Sequence, residues 1–453
     1  MKNLLPIFFL ISLLKSFLIG KPHILFIAID DLRPELGCYG SPIAKSPNLD
    51  KLAKEGRRFD RAYCQQSICS PSRASLMTGA RPDEIGVIEN TAYFRELNPN
   101  IVTLPQHFIK NGYEAVYCGK IYHARMTDHE YSWSRKPAHN QCPVKMKWLP
   151  GGYALPQNQK LWVSNKEKML AKYGNEGSGG LIHGPAYESA DVPDHAYSDG
   201  YSTRLAISTL KDHRKKKPDQ PLFLALGFKK PHLDFVAPKK YWDMYDPLDV
   251  ALPKSFGKGD LPPIKAMREA MEKGTDPRDN QSPFTVTGDE ARAIIALTYG
   301  MITMIDDAIG RILKQLEASG LADDTIVIFT TDHGDYMGDH SLMLKLLLHY
   351  QGIIRTPFIW YDPKRPTDGL AIDDLASSID ISATILARAG IQPFNGLQGR
   401  DLFASDPVNA IIVEEDSQRP MTGFDKPQRV RTVVTDRYRM SIRQGENWGE
   451  LYD

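Results

Sequence analysis

The chain has no excess of charge of either sign. Its 453 residues include 56 lysines and arginines and 55 aspartates and glutamates, so the formal net charge is +1 at pH 7. Proteins that bind nucleic acid through its phosphates show a clear basic excess. The composition therefore argues against a nucleic-acid partner, although it leaves room for local positive charge at a site.

Cysteine is scarce, with five residues in the whole chain. Their irregular spacing matches no zinc-binding pattern. Five is also an odd number, which does not suit complete disulfide pairing within one exported chain. The five are Cys38, Cys64, Cys69, Cys118 and Cys142.

The apolar run at the N-terminus is short. Lys2 precedes LLPIFFLISLL at residues 4–14, and Lys15 interrupts the run. The pattern is typical of a secretory signal and is too short for a membrane span. Because LIG at residues 18–20 is a poor cleavage site, an uncleaved anchor is the alternative. We expect residues 1–20 to be a signal peptide, the protein to be secreted or periplasmic, and no stable membrane insertion.

An α/β architecture is predicted by the pattern of apolar runs. The 42% apolar and 25% charged residues are those of an ordinary globular protein, long enough for one large domain and a smaller one. Helical patterns that end in glycine, such as 49–56, 103–112 and 308–320, lie between continuous apolar runs. This alternation predicts a mostly parallel sheet covered by helices on both faces, with ligands at the carboxyl ends of its strands. The predicted strands are 23–29, 114–119, 222–227, 325–330 and 357–360.

Other stretches depart from this alternation. Residues 124–200 and 236–285 are rich in proline, glycine and charge and poor in periodicity, which predicts insertions over the sheet that shape substrate access. Residues 431–443 alternate around Thr435-Asp436. That pattern predicts a hairpin in a small antiparallel sheet near the C-terminus.

The most informative motif is CSPSR at residues 69–73, which continues as ASLMTGARP through residue 82. The pentapeptide alone fits a buried structural cysteine before a helix equally well. Pro71 suits a first helical turn and Gly79 a helix end, and the N-terminus of a helix offers N–H groups to an anion. Over its whole length, the run resembles the signature of type I sulfatases.

This resemblance implies a modified residue. In that family a formylglycine-generating enzyme reads C-x-P-x-R and oxidises the cysteine to formylglycine (3-oxoalanine), whose aldehyde hydrates to a geminal diol. One diol oxygen attacks sulfur, and the other later expels sulfate. Cys69 would thus be the nucleophile, and Arg73 would brace it and the bound anion. Setting Cys69 aside leaves four cysteines, which permits disulfide pairing without proving it.

Carboxylates and an imidazole follow two of the predicted strands. Asp30-Asp31 close the first strand, and Asp332-His333 follow another. Oxygen-rich ligands favour Ca²⁺ or Mg²⁺ over zinc, whereas the alternative is that the two aspartates cap the next helix. The run IDDLRPELGCYG at 29–40 is very similar to the opening of iduronate-2-sulfatase and its bacterial relatives. That resemblance implies one Ca²⁺ ion with the ligands Asp30, Asp31, Cys69 as formylglycine, Asp332 and His333.

Three further motifs resemble sulfate-binding elements of the same family. GKIYH at 119–123 implies that Lys120 holds the diol and sulfate oxygens and that His123 takes the proton whose loss releases sulfate. KKPH at 229–232 implies that His232 contacts sulfate or protonates the leaving alcohol. GDHSLMLK at 338–345 implies that Lys345 is a second sulfate-binding lysine. A single lysine or histidine at a strand end is more often a solvated surface residue, but the family spacing favours a functional role here.

The resemblance runs from about residue 22 to 452. It implies an alkaline-phosphatase-like sulfatase fold, with a catalytic domain over 21–405 and a C-terminal subdomain over 406–453. Three regions depart from the family pattern: LLLHYQ at 346–351 is more similar to bacterial arylsulfatases, residues 136–193 match nothing, and the chain stops at LYD. We therefore expect the C-terminal subdomain to be incomplete.

Three functional hypotheses follow. The first is a Ca²⁺-dependent sulfuric ester hydrolase acting on a sulfated carbohydrate. The second is a phosphonate or phosphate monoester hydrolase of the same superfamily. The extra charge of a phosphate monoester would be better stabilised by a second metal ion, whereas the sequence predicts ligands for only one, which favours sulfate. The third is a non-catalytic sulfated-glycan binding protein with Cys69 unoxidised, against which the presence of Lys120, His123, His232 and Lys345 argues.

Overall fold

The computed structural model describes most of the chain: residues 20–123, 126–139, 142, 149–177, 182–259, 261–272, 284–345, 347–417 and 424–453. The predicted signal peptide lies outside the described residues, apart from Gly20.

Sixteen strands form in the described part of the chain. They are β1 His23–Asp30, β2 Arg57–Tyr63, β3 Glu114–Gly119, β4 Tyr187–Ala190, β5 Leu222–Pro231, β6 Phe235–Pro238, β7 Phe284–Thr285, β8 Thr325–Thr331, β9 Leu342–Met343, β10 Arg355–Tyr361, β11 Leu370–Ile372, β12 Ala376–Ser377, β13 Ala410–Asp416, β14 Arg429–Thr435, β15 Arg439–Arg443 and β16 Gly449–Tyr452.

Eight of these strands form the central sheet, in the order β11-β2-β10-β8-β1-β5-β3 with β12 beside β2. β1 lies parallel to both β5 and β8, and β3 lies parallel to β5. β10 runs antiparallel to β8 and β2. The predicted mostly parallel sheet and all five predicted strands are confirmed. β2 was not predicted, because its sequence RRFDRAY is too charged to read as a buried strand.

Helices cover the sheet on both faces. Successive residues of a strand point to opposite faces, and in β1 Leu25 and Ile27 join one buried cluster while Ile24 and Phe26 join the other. This burial on both sides explains why β1 is apolar throughout. The helices are Pro47–Glu55, Cys69–Thr78, Pro82–Ile85, Phe94–Leu97, Leu104–Lys110, His129–Ser132, Pro156–Gly177, Ser198–Lys216, Lys239–Trp242, Pro262–Glu272, Gly288–Ala318, Gln351–Ile354 and Ser378–Arg388.

The longest helix begins well before the predicted segment 308–320. Gly288–Ala318 starts at a capping box, in which the Glu290 backbone N–H donates to the Thr287 hydroxyl and the Thr287 backbone N–H donates to the Glu290 carboxylate. It is the one described helix that is long and apolar enough to cross a membrane, but 78% of its most apolar stretch is buried inside the protein. It therefore packs as a core helix.

The two predicted insertions contain more regular structure than their composition suggests. The helix Pro156–Gly177 lies in the first and Pro262–Glu272 in the second. Glu188, buried on β4, accepts hydrogen bonds from the backbone N–H groups of Ala154 and Leu155 at 2.6 and 2.9 Å. Tertiary contacts of this kind, which local periodicity does not show, fix the start of the first helix.

The C-terminal residues form a separate four-stranded antiparallel sheet in the order β13-β14-β15-β16. The predicted hairpin is confirmed, since β14 and β15 pair around the turn at 435–439. Glu415 on β13 is buried and accepts hydrogen bonds from the backbone N–H and the hydroxyl of Ser67, at 3.0 and 2.6 Å. Ser67 precedes the helix Cys69–Thr78, so this small sheet helps to position that helix.

A buried ion cluster at the start of β3 leads to a stability prediction. Glu114 is fully buried and accepts from His213, Arg135 and Lys217 at 2.6 to 2.9 Å. Burial acts to raise the pKa of Glu114, but these three hydrogen bonds outweigh it and hold that pKa well below its usual range. We expect Glu114→Gln to lower the free energy of unfolding by about 1–3 kcal/mol at pH 7, because buried His213, partly exposed Arg135 and exposed Lys217 lose their charge partner.

The effect depends on pH with a definite sign. A lowered carboxyl pKa contributes stability that is present above the unfolded-state pKa and is lost as the pH falls through the folded-state pKa. The difference in melting temperature between wild type and Glu114→Gln should therefore shrink as the pH falls from 7 towards 3. Glu96→Gln, at an exposed position, is the control. An equal difference at both pH values would contradict the account.

Candidate active site

The predicted site residues come together at the carboxyl ends of the central strands. Asp30 ends β1, Asp332 follows β8, Lys120 follows β3, and His232 follows β5. These four strands are neighbours in the sheet. The site therefore occupies the position where parallel sheets bind ligands.

Cys69 is the first residue of the helix Cys69–Thr78, which ends at Gly79 in a left-handed conformation with φ +64°. The side chain is 1% exposed. Its Sγ lies 3.5 Å from the ammonium of Lys345, which donates to it. Burial raises the pKa of the Cys69 thiol, but the charges of Lys120 and Lys345 help to bring it below its ordinary value. The environment at residue 69 thus favours negative charge.

Arg73 lies one turn further along the helix and is buried. Its Nε donates to Asp332 at 2.9 Å and its Nη2 to Asp30 at 3.0 Å. Its other N–H groups donate to the carbonyls of Ile29, Lys120 and Ile121. All five guanidinium N–H groups are thereby taken. Arg73 thus orients two predicted metal ligands, and its role in bracing formylglycine and the bound anion stays a prediction.

The two aspartates that end β1 have different environments. Burial acts to raise the pKa of Asp30, but Lys120 and Arg73 hold it well below its usual range, and both lysine and arginine donate to its carboxylate. Burial raises the pKa of Asp31 to about 7, although Lys345 donates to Asp31 Oδ1. Among the described residues, the second oxygen of this carboxylate, Asp31 Oδ2, has no hydrogen-bond partner.

A cluster of potential metal ligands surrounds Asp31. Ligand atoms of Asp31, Cys69, Asp332 and His333 all lie within 4.8 Å of one another, and a second such group joins Asp30, Asp31, Cys69 and His232. Among the described residues, Asp31 Oδ2 and His333 Nε2 are buried with no hydrogen-bond partner.

The donor set fits a divalent cation. His333 Nδ1 lies 3.0 Å from the carbonyl of Gly334, which leaves Nε2 free to face the cluster. Burial lowers the pKa of His333, but the neighbouring carboxylates of Asp332 and Asp31 raise it to about 9. A cation would provide partners for both orphaned atoms. Several carboxylate oxygens and one imidazole suit a hard ion.

A cavity of about 630 Å³ opens directly above these residues. His123 is largely buried there, and its Nδ1 has no hydrogen-bond partner in the described part of the chain. Burial and the charge of Lys120 lower the pKa of His123 to about 4, so its imidazole is neutral at pH 7. His232 Nδ1 lies 2.5 Å from the carbonyl of Leu233, and its Nε2 lies 3.9 Å from Asp31. The predicted residues that line the cavity are Cys69, Lys120, His123, His232 and Lys345.

Comparison with known proteins identifies the family. The profile of the family named Sulfatase matches residues 22–391. The chain belongs to the sulfatase family. It is 32% identical to iduronate 2-sulfatase of Mus musculus over 358 residues, which cover 76% of this chain and 60% of that protein. A sulfatase of Formosa agariphila is 27% identical over 457 residues, covering 96% of this chain and 81% of the relative. The chain thus spans about 60% of the length of the mouse enzyme.

Solved structures confirm the predicted sulfatase fold. The phosphonate monoester hydrolase of Agrobacterium radiobacter superposes with a TM-score of 0.68 at 25% identity, covering 95% of this chain and 89% of that one. A protein solved with its substrate D-glucosamine-2-N,6-O-disulfate superposes with a TM-score of 0.71 at 18% identity, covering 96% and 91%.

Several residues around the sulfatase cavity were not predicted. Asn90 accepts a hydrogen bond from the backbone N–H of Ser70 at 3.0 Å and so holds the start of the helix that carries Cys69. Asp199 accepts from the backbone N–H groups of Lys229 and Lys230 at 2.8 to 3.1 Å. The KKPH motif points to the position of Lys229, but it does not show that this side chain borders the cavity. The unpredicted lining residues include Asn90, Tyr117, His139, Ser198, Asp199, Tyr201 and Lys229.

Proposed function

We propose that this sulfatase-family chain hydrolyses sulfate esters of a carbohydrate, with formylglycine at position 69 and one bound Ca²⁺ ion. The observation that carries the proposal is the position of Lys345. Its ammonium contacts both Cys69 Sγ and the Asp31 carboxylate, and so joins the nucleophile position to the metal-ligand cluster at the floor of the cavity.

The side chains at the cavity floor suit an attack on sulfur. Formylglycine at position 69 supplies, as its hydrate, an oxygen nucleophile, and bound Ca²⁺ supplies charge neutralisation for the sulfate oxygens. Asp31, Asp332 and His333 would hold the ion together with residue 69 and Asp30. Lys120 and Lys345 place two ammonium groups beside residue 69, where they bind sulfate oxygens and stabilise the negative charge that develops as the S–O bond breaks.

Two histidines divide the proton transfers. His232 lies beside the cluster and, once the anionic sulfate is bound and raises its proton affinity, gives a proton to the oxygen of the leaving alcohol. His123 is neutral, and its Nδ1 has no partner among the residues that the structure describes, so it takes the proton from the second hydroxyl on residue 69 as sulfate leaves. Each acts at a different oxygen, and therefore their loss should affect different steps. Loss of His232 should slow departure of the alcohol, and loss of His123 should slow release of sulfate.

The second candidate is a phosphonate or phosphate monoester hydrolase. It is favoured by the similarity in fold to the phosphonate monoester hydrolase of Agrobacterium radiobacter. One observation argues against a second metal ion. The two groups of potential ligands in the described chain share Asp31 and Cys69, so they form one ion site rather than two. A sulfate monoester carries one charge fewer than a phosphate monoester, so a single ion and two lysines match it better than a phosphate monoester. A phosphonate monoester carries the same single charge as a sulfate monoester, and an activity assay separates these two.

The test compares the two ester classes on one preparation. Protein co-expressed with a formylglycine-generating enzyme is assayed with 4-methylumbelliferyl sulfate, 4-methylumbelliferyl phosphate and a phenyl phosphonate monoester at equal concentration. We expect kcat/KM for the sulfate to exceed that for both phosphorus esters by at least about 100-fold, which corresponds to about 2.7 kcal/mol of transition-state discrimination. A preference for either phosphorus ester would favour the second candidate.

The proposal extends to maturation and location. We infer that the protein is exported by the signal at residues 1–20 and meets a formylglycine-generating enzyme before it folds. We also propose a catalytic domain over 21–405 and a C-terminal subdomain over 406–453, and the start of the four-stranded sheet at Ala410 supports this division. An iduronate-2-sulfatase-like substrate is supported by the 32% identity to the mouse enzyme.

His123 leads to a kinetic prediction. We expect His123→Ala to lower kcat by about 10²–10⁴-fold, the usual contribution of a general base. Because the pKa of His123 is lowered to about 4, its basic form predominates above that pH, and the loss should be similar across pH 5 to 8. Steady-state kinetics on 4-methylumbelliferyl sulfate measure it, with His107→Ala, which bonds to Gln392 away from the cavity, as the control. An unchanged kcat would remove His123 from the mechanism.

A further inference from the structure

The cavity above Cys69 continues into a second one. A smaller cavity of about 220 Å³ adjoins the 630 Å³ cavity, and both are lined by Ser198, Asp199, Tyr201 and Lys229. A sulfate group needs only a small part of this volume. Pockets of several hundred Å³ bind whole small molecules, so the cleft has room for a sugar and for groups attached to it.

The shared wall of the two cavities has the character of a saccharide site. Tyr201 stacks against His139, with ring centroids 6.2 Å apart and an interplanar angle of 22°, and its hydroxyl lies 2.9 Å from His139 Nδ1. An aromatic ring with a fixed polar edge offers both an apolar face and a hydrogen-bonding rim. This combination matches a sugar ring, which has apolar C–H faces and polar hydroxyls.

The lysines of the cleft differ in their partners. Lys120 donates to Asp30, and Lys345 donates to Asp31. The ammonium of Lys229 is exposed and makes no hydrogen bond or ion pair with any residue that the structure describes. Its ammonium is therefore available to an anionic ligand.

The backbone at this lysine is nevertheless held firmly. The buried carboxylate of Asp199 accepts from the N–H of Lys229 at 3.0 and 3.1 Å and from that of Lys230 at 2.8 Å. The Lys229 carbonyl in turn accepts from the N–H of His232 at 3.1 Å. The backbone that carries the cation is thus fixed beside His232 at the cavity.

We propose that Lys229 binds a second anionic group of the substrate, so that the preferred substrate is a saccharide with one anionic group besides the scissile sulfate. This inference rests on the proposed sulfatase function. The second group is a carboxylate or a further sulfate, both of which accept charge-assisted hydrogen bonds from an ammonium. Lys229 then determines specificity through substrate binding, whereas Lys120 and Lys345 act on the scissile sulfate.

Matched pairs of substrates test the proposal. One pair is N-acetyl-D-glucosamine 6-O-sulfate, a monoanion, and D-glucosamine-2-N,6-O-disulfate, a dianion. The other pair is a hexuronate 2-O-sulfate and the same compound with its carboxylate reduced to an alcohol. Within each pair the ratio of kcat/KM, dianion over monoanion, measures recognition of the second charge. The pair with the larger ratio identifies the group as sulfate or carboxylate.

We expect Lys229→Met to lower the larger ratio by about two- to fivefold, mainly through KM, as for the loss of one solvent-exposed ion pair. Lys229→Arg should retain most of the ratio, and Lys229→Glu should lower it further. Added NaCl should reduce the ratio in wild type, because salt screens an exposed charge pair. Lys54→Met, at an exposed position on the helix Pro47–Glu55, is the control.

The outcomes separate this inference from the proposed function. If wild type hydrolyses 4-methylumbelliferyl sulfate but both ratios are the same in wild type and Lys229→Met, the second anionic subsite is wrong and the sulfatase proposal stands. If formylglycine-containing wild type hydrolyses no sulfate ester, the proposed function fails first.

Discussion

Cys69→Ala should abolish sulfate-ester hydrolysis, with kcat for 4-methylumbelliferyl sulfate at least about 10⁴-fold below wild type, as expected for loss of a catalytic nucleophile. The side chain is buried at the start of its helix, beside Lys345 and the metal-ligand cluster. Alanine removes the atom that becomes the nucleophile and leaves the helix intact. Sulfate release under steady-state conditions measures the effect.

Two further variants make this result specific. Cys69→Ser keeps a polar atom at the position, but without formylglycine it should be nearly as inactive. Cys64→Ala removes another buried cysteine, whose Sγ lies 3.8 Å from the carbonyl of Ile353, outside the lining of the cavity. It should keep most of the activity. Activity of Cys69→Ala within tenfold of wild type would mean that another group attacks sulfur.

Asp31→Asn should have the second largest effect, a loss of kcat/KM of about 10³-fold with a calcium affinity about 10- to 100-fold weaker. Asp31 has a backbone φ of +63°, a left-handed conformation that asparagine tolerates better than most residues. The substitution therefore keeps shape and backbone and removes only the charge. Isothermal titration with Ca²⁺ and steady-state kinetics measure the two effects.

The control for this variant is Asp289→Asn, because that side chain is fully exposed at the start of the longest helix. Dialysis of wild type against a chelator should imitate Asp31→Asn, and added Ca²⁺ should restore wild type but not the variant at equal concentration. If chelation leaves wild-type activity unchanged, the calcium proposal is wrong. Wild-type affinity for Ca²⁺ in Asp31→Asn would exclude that residue as a ligand.

The parts of the fold that could be predicted are those where local pattern and final burial agree. β1, β3, β5 and β8 are buried on both faces, so each appears in the sequence as a continuous apolar run. β2 carries three arginines and an aspartate, and it is held by pairing with β10, far away in the chain. The inserted helix Pro156–Gly177 depends on Glu188 in the same way. Such long-range partners leave no local periodicity to detect.

In the candidate site, too, the residues that belong to local motifs were predicted, and the long-range contacts were not. Residues in motifs, among them Cys69, Lys120 and His123, lie together in the cavity where the sequence predicts them. The contacts that set their roles were not predictable. The side chain of Arg73 points to the two carboxylates, and Asp199 positions Lys229 through backbone N–H groups. These contacts join elements that are far apart in sequence, and a motif contains no information about them.

The central claim is that residue 69 is formylglycine in the working enzyme, and mass spectrometry of the tryptic peptide that contains it is the most direct test. The protein is purified from its native host or after co-expression with a formylglycine-generating enzyme. We predict a peptide about 18 Da lighter than the cysteine form, the mass change when a thiol becomes an aldehyde. A peptide with unmodified cysteine under those conditions would contradict the proposed mechanism and favour a sulfated-glycan binding protein.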